Sequence, residues 1–149
     1  MPQIGKKAPD FALQTTSGSV RLADYAGKKL VLVFYAEDGT PACTQQLAAF
    51  RDEFPAIQGA GADLLAVSAD SLDSHRQFHA RLGACPFPLA SDAGLETARR
   101  YDVLSPDGKR SVRAVFVIAE DGAILHAIPW YQPGNTGQFL EVFQALGAA

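Results

Sequence analysis

Residues 30–44 read LVLVFYAEDGTPACT, and this stretch decides the fold. Leu30 to Tyr35 is continuously apolar and rich in β-branched and aromatic residues. That is the pattern of a strand buried on both faces, hence a central or parallel strand. A short polar loop follows through Gly39. Thr40 is a good N-cap, and Pro41 then falls at the first helical position, where its missing N–H costs nothing. Cys43 lies in the first turn of the helix so opened. Free backbone N–H groups and the positive end of the helix dipole favour an anion there. A thiolate at such a place is stabilised and nucleophilic at neutral pH. The plain alternative is a buried cysteine without chemistry, since free cysteines are among the most buried residues.

Working outward, the helix is predicted over 41–54, with Leu47, Phe50 and Phe54 on one face and Pro55 just beyond. Apolar runs at 63–68, 87–90, 112–118 and 123–128 read as strands. Helical patterns cover 72–82, stopped by Gly83, and 93–101. The last helix covers 136–146 and gathers Phe139, Val142, Phe143 and Leu146 on one face. Asp121-Gly122 is a strong hairpin signal. Residues 11–27 read as two short strands around Ser17-Gly18-Ser19. Strands separated by helices pair in parallel, whereas the terminal hairpin is antiparallel. The order implies an α/β chain with a central mixed sheet flanked by helices. It is the arrangement of a thioredoxin-like fold with an N-terminal β extension, and residues 1–149 are expected to form one domain.

The chain has 149 residues, 48% hydrophobic and 19% charged, with a formal net charge of −3. Such a chain can bury a core without staples. A phosphate-tracking nucleic-acid binder needs a basic face and is disfavoured. Two cysteines, Cys43 and Cys85, are too few for a disulfide scaffold or a cysteine-rich zinc site. The polar start lacks an apolar leader segment, and the longest apolar run is far too short for a bilayer. The expectation is a soluble, cytoplasmic protein with no membrane partner, no cofactor and no metal.

Phe34 to Thr44 resembles the active-site segment of peroxiredoxins, in particular the bacterioferritin comigratory protein group, or PrxQ. The family pattern is Pro-x-x-x-Thr-x-x-Cys, and Thr40 and Cys43 fit its last two positions. Further stretches match in order: Gly5 to Phe11, Phe50-Arg51-Asp52, Pro86 to Asp92, and Arg113 to Ile118. The resemblance implies a thiol peroxidase acting on hydrogen peroxide or small organic hydroperoxides. Cys43 would be the peroxidatic thiolate that becomes a sulfenic acid. Thr40 would orient the peroxide, and Arg113 would hold a fixed positive charge beside the reacting atoms. Without the resemblance, Arg113 reads as a strand-end residue reaching for water.

The family pattern breaks at three places. Ala36 stands where the motif has Pro, which predicts a wetter thiolate. Gln46 stands where this branch has Glu, removing a negative charge from beside the thiolate and a partner from Arg113. The two positions expected for a resolving cysteine hold Ala48 and His79. Cys85 is the remaining thiol, a possible resolving residue or simply a packed small hydrophobe before a strand. If it does not resolve Cys43, an outside thiol must: a thioredoxin-like protein, a glutaredoxin or a low-molecular-weight thiol. The family implies a monomer or a dimer. Two competing readings are a degenerate redox-sensing or partner-binding protein, favoured by Ala36 and Gln46, and a thiol–disulfide oxidoreductase, disfavoured by the absent Cys-x-x-Cys.

Other candidates are bland. His75 and His79 have i, i+4 spacing but no further ligand, so a solvated helix face is expected. His126 is assigned to the second strand of the hairpin. Gly59-Ala60-Gly61 lacks the Lys of a phosphate loop. Trp130 and Tyr131 could line the peroxide pocket or a dimer contact, with core packing as the default.

Overall fold

The computed structural model describes residues 2–147. In chain order the elements begin with the hairpin β1 (Ala12–Thr15) and β2 (Gly18–Arg21), then β3 (Lys29–Phe34), α1 (Pro41–Asp52) and α2 (Phe54–Gly59). There follow β4 (Ala62–Ser68), α3 (Leu72–Leu82), β5 (Leu89–Ser91) and α4 (Glu96–Arg100). The chain ends with β6 (Ala114–Ile118), β7 (Ile124–Ile128) and α5 (Thr136–Ala145). The seven strands form one mixed sheet in the order β2-β1-β5-β4-β3-β6-β7. β3, β4 and β5 run parallel, and the remaining pairings are antiparallel. A thioredoxin-like sheet with a β extension at its edge is therefore what the sequence pattern anticipates.

β3 lies at the centre because both of its faces are apolar. Val31, Val33 and Tyr35 join Cys43, Leu47, Phe50 and Phe78 in one core on the α1 and α3 side. Leu30, Leu32 and Phe34 join Phe11, Tyr101 and Phe116 in a second core on the other side. Each such side chain contributes about 1.5–3 kcal/mol when fully buried. The second core is keyed by three rings, with Phe34–Tyr101, Phe34–Phe116 and Tyr101–Phe116 centroids 5.4, 5.9 and 5.1 Å apart. β3 and β4 are parallel and each leads into a helix. The N-termini of α1 and α3 therefore open at the same end of the sheet, the usual place for a site in such folds.

Several boundaries differ from the sequence pattern, each for a local reason. Helix α1 stops at Asp52, and Pro55 sits in the first turn of a separate helix α2 instead of lying beyond a single longer one. Proline is tolerated there because that N–H has no helical acceptor. Helix α4 begins only at Glu96. Leu95 has φ +59°, and the buried Asp92 carboxylate takes the N–H groups of Thr97 and Ala98. The first hairpin turns on Thr16-Ser17, one step before the expected Ser17-Gly18-Ser19, with Thr15 paired to Gly18. Thr15 Oγ1 fixes this turn by accepting the Ser17 N–H and donating to the Gly18 carbonyl. Arg113 stands one residue before β6, outside the strand the sequence pattern starts at 112.

Candidate active site

The N-terminus of α1 forms as its residues dictate. Thr40 takes an extended backbone (φ −69°, ψ 150°), and its Oγ1 accepts the Cys43 N–H at 3.3 Å. The same hydroxyl donates to the Glu37 carbonyl at 3.4 Å. Gly39 supplies the left-handed turn before the cap, at φ +79°. Pro41 and Ala42 precede Cys43, which places the thiol at the third helical position. Cys43 is 0% exposed, contrary to the wetter thiolate that Ala36 predicts. Ala36 itself is half-buried against the same core, which closes over the sulfur without a proline ring.

The register of the sheet brings Arg113 to this end. Phe34 pairs with Ala114, so one step further sets Arg113 across from Tyr35. Side chains alternate along a strand, and Val115 and Val117 pack in the Cys43 core. Arg113 stands two residues before Val115, just outside the strand. Its Nε is buried and has no protein partner among the described residues. Gln46, one helical turn after Cys43, donates from Nε2 to the Phe34 carbonyl at 3.2 Å, while its Oε1 is likewise buried and unpartnered. Unpaired buried polar atoms are rare, and each calls for an explanation, a catalytic role among them. An open cavity of about 270 Å³ lies alongside, lined by Ala36, Ser105, Arg110, Arg113, Trp130 and Tyr131. Arg110 and Glu37 approach to 3.6 Å at its rim.

Trp130 is 64% exposed, so the default of core packing fails for it but holds for Tyr131, which is buried. Burial pushes the Tyr131 hydroxyl up to about 12, keeping it neutral and a donor.

Cys85 forms no disulfide with Cys43. It lies past the C-terminus of α3, half-buried, with its thiol donating to the Phe87 carbonyl at 3.5 Å. Burial pushes this thiol up, and that effect outweighs the Phe87 bond and the nearby Arg51 charge.

The histidines of α3 differ from the expected solvated face. His75 is 0% exposed, whereas His79 is half-buried, its Nε2 3.1 Å from the Phe87 carbonyl. The reason was present in the pattern: His75, Phe78 and Leu82 share the buried face at helical spacing. His75 Nδ1 lies 2.7 Å from Asp38 Oδ2, and Tyr35 donates its hydroxyl to Asp38 Oδ1 at 2.7 Å. Burial pushes the Asp38 carboxyl up. Hydrogen bonds from His75, Tyr35 and Ser74 outweigh it and hold the group below the ordinary carboxylate range. The loop that precedes the cysteine is thus tied into α3, a link the sequence reading missed. His126 is on β7 as expected, 3.0 Å from Glu141.

Comparison with known proteins gives the chain's family and its fold relatives. The AhpC/TSA family model matches residues 4–127. A putative peroxiredoxin bcp of Coxiella burnetii is 36% identical over 151 residues, covering 97% of this chain and 98% of that protein. The structure of a cysteine-to-serine mutant of PrxQ from Xylella fastidiosa superposes with a TM-score of 0.87 at 27% identity, over 99% of this chain and 98% of that one. A yeast mitochondrial 1-Cys peroxiredoxin, with a thiol-resolving mechanism via glutathione/thioredoxin systems, superposes at 0.86 with 27% identity, over 99% and 77%.

Proposed function

This chain belongs to the AhpC/TSA family, and from that membership we propose that Cys43 is the peroxidatic residue of a thiol-dependent peroxidase of the PrxQ group. The observation that carries the assignment is the placement of Cys43 at the capped start of α1, at the end of the sheet to which the β3–β6 register brings Arg113.

In the proposed reaction the Cys43 thiolate attacks the terminal oxygen of a hydroperoxide. The S–O bond forms as the O–O bond breaks, the peroxide is reduced to an alcohol or water, and Cys43 is oxidised to the sulfenic acid. The leaving oxygen carries developing negative charge and takes up a proton. Arg113 offers a guanidinium with a free Nε at that charge, and the Thr40 hydroxyl holds the incoming peroxide. An external thiol then condenses with the sulfenic acid, releasing water and forming a mixed disulfide. A second thiol frees Cys43 and leaves as the disulfide. A thioredoxin-type protein or glutathione is the reductant class this cycle requires. Two features support an external resolving thiol: the engagement of the Cys85 thiol with the Phe87 carbonyl and the upward push of burial on that thiol.

The test is peroxide consumption by the wild type against Cys43→Ser, with a dithiol reductant supplied. Equal rates in the two proteins would end the proposal.

A further inference from the structure

We propose that His75 is a positioning residue for Cys43, forming with Asp38 a buried ion pair that pins the loop leading into α1. The inference rests on the assignment of Cys43 above and on a hydrogen-bond count around one ring.

Both ring nitrogens of His75 face oxygens that can only accept. Nε2 is 2.9 Å from the Ala90 carbonyl on β5, and Nδ1 is 2.7 Å from Asp38 Oδ2. A neutral imidazole carries one N–H and would leave a lone pair against an oxygen at one of these contacts. The hydroxyl of Tyr35, 3.2 Å from Nδ1, cannot supply the missing proton, because it donates to Asp38 Oδ1 at 2.7 Å. The arrangement is satisfied by an imidazolium beside a carboxylate. Their side chains are 0% and 2% exposed, so neither charge is screened by water.

Every element around the ring takes part. Ser74, on α3 itself, donates to Asp38 Oδ2 at 2.8 Å. Asp70, just after β4, accepts the Asp38 backbone N–H at 3.0 Å and the Ser68 hydroxyl at 2.6 Å. These bonds account for the close approach of Asp38, Asp70 and His75, whose ligand-type atoms lie within 4.8 Å of one another. Asp38 is therefore fixed by main chain and side chain together.

The consequence falls on the next residues. Gly39 turns the chain at φ +79°, Thr40 caps α1, and Cys43 follows in its first turn. Asp38 is anchored two residues before the cap, and Gly39 is the joint between them. Freeing Asp38 lets the Thr40 hydroxyl wander relative to Arg113 and the cavity it lines. A misplacement of about 1 Å at reacting groups can cost on the order of 10²-fold in rate. The pair is a registration device in this reading, since buried ion pairs contribute little net stability when compared with apolar packing.

The experiment measures oxidation of Cys43 by hydrogen peroxide in stopped flow, using Trp130 fluorescence, for wild type, His75→Gln, Asp38→Asn and the double variant. Circular dichroism checks that each is folded. Each single variant is expected to slow oxidation on the order of 10²-fold. The double variant is expected to be no slower than the slower single, because one broken pair cannot be broken twice. A folded His75→Gln oxidised at the wild-type rate, or single effects that multiply, would overturn the proposal. If the variants fail to fold, imidazole ¹⁵N resonances of wild-type His75 decide it at neutral pH. Two protonated-type nitrogens support the pair, and one bare nitrogen sinks it. The nitrogen measurement does not depend on turnover, so it stands apart from any failure of the peroxidase assignment itself.

Discussion

Arg51 donates a hydrogen bond from its guanidinium to the Leu82 carbonyl, joining the C-terminal half of α1 to the end of α3. Phe54 and Phe87, with centroids 6.0 Å apart, pack in the same region. Cys85 sits between these contacts. Cys43 is eight residues before Arg51 on the same helix, about 12 Å along the axis. A disulfide needs Cα atoms within about 7 Å, and the proposed cycle leaves Cys85 outside it. Wild-type protein given one equivalent of peroxide is expected to gain one oxygen atom by intact mass, and Cys85→Ser to turn over normally. Loss of two hydrogens in wild type but not in Cys85→Ser would show internal resolution.

Arg113 is expected to matter through the shape of its charge. A guanidinium presents several donors in a fixed fork, while a lysine offers a mobile point charge. Arg113→Lys should therefore slow Cys43 oxidation by roughly 10²–10³-fold, the usual cost of losing one donor to a developing oxyanion. Second-order rate constants with hydrogen peroxide give the measurement, and near-native rates in Arg113→Lys would refute the role.

Thr40 carries two duties that substitutions separate. Thr40→Val loses the cap and the hydroxyl. It should cost about 1 kcal/mol of stability and also slow peroxide reduction. Thr40→Ser keeps both oxygen contacts and should restore both properties. Denaturant melts and peroxide kinetics on the two variants give the comparison; a fully active Thr40→Val would leave only the capping role.

Trp130 stands exposed on the cavity that ends at Ala36 and Arg113. Removing its ring should weaken reduction of a bulky aromatic hydroperoxide by about tenfold, the effect of roughly 1–2 kcal/mol of lost apolar contact. Reduction of hydrogen peroxide, which has no apolar part, should be unchanged. Equal losses for both substrates would mean that Trp130 does not contact the organic group.

Asp38 links this architecture to acid stability. Its carboxyl is held below the ordinary range in the folded chain, so the folded state binds this proton less readily than the unfolded one. The stability so gained is fully present above the unfolded value of about 3.9 and is lost as pH falls through the lower folded value. Asp38→Asn leaves His75 without a charged partner and should cost about 3–5 kcal/mol at neutral pH. On acidification the gap should narrow only below about pH 4, where the carboxyl takes up its proton. Urea melts across that range provide the check, and a gap that closes near pH 6 would assign the effect to another group.

Much of the site was legible in the chain because its determinants are local. An N-cap, a proline at the first helical position and a cysteine two residues on specify a helix start and a thiol within a single turn. The central place of β3 was equally plain, since an unbroken apolar run must be covered on both faces. His75 was misread as solvated because its partners Asp38 and Ala90 are distant in sequence, 37 and 15 residues away. The exposure of Trp130 was missed for the same reason, as it depends on what the other elements cover.

The sequence by itself determined the strand–loop–helix junction, the capped cysteine and the family pattern around it, all through interactions between near neighbours. Only the tertiary structure decided that Arg113 stands next to the β3–β6 pairing at the end where α1 begins, that the loop is pinned to α3, and that the Cys85 thiol meets the Phe87 carbonyl. Those three outcomes depend on strand register and helix docking, where a shift of one residue would turn the same side chains to the opposite face.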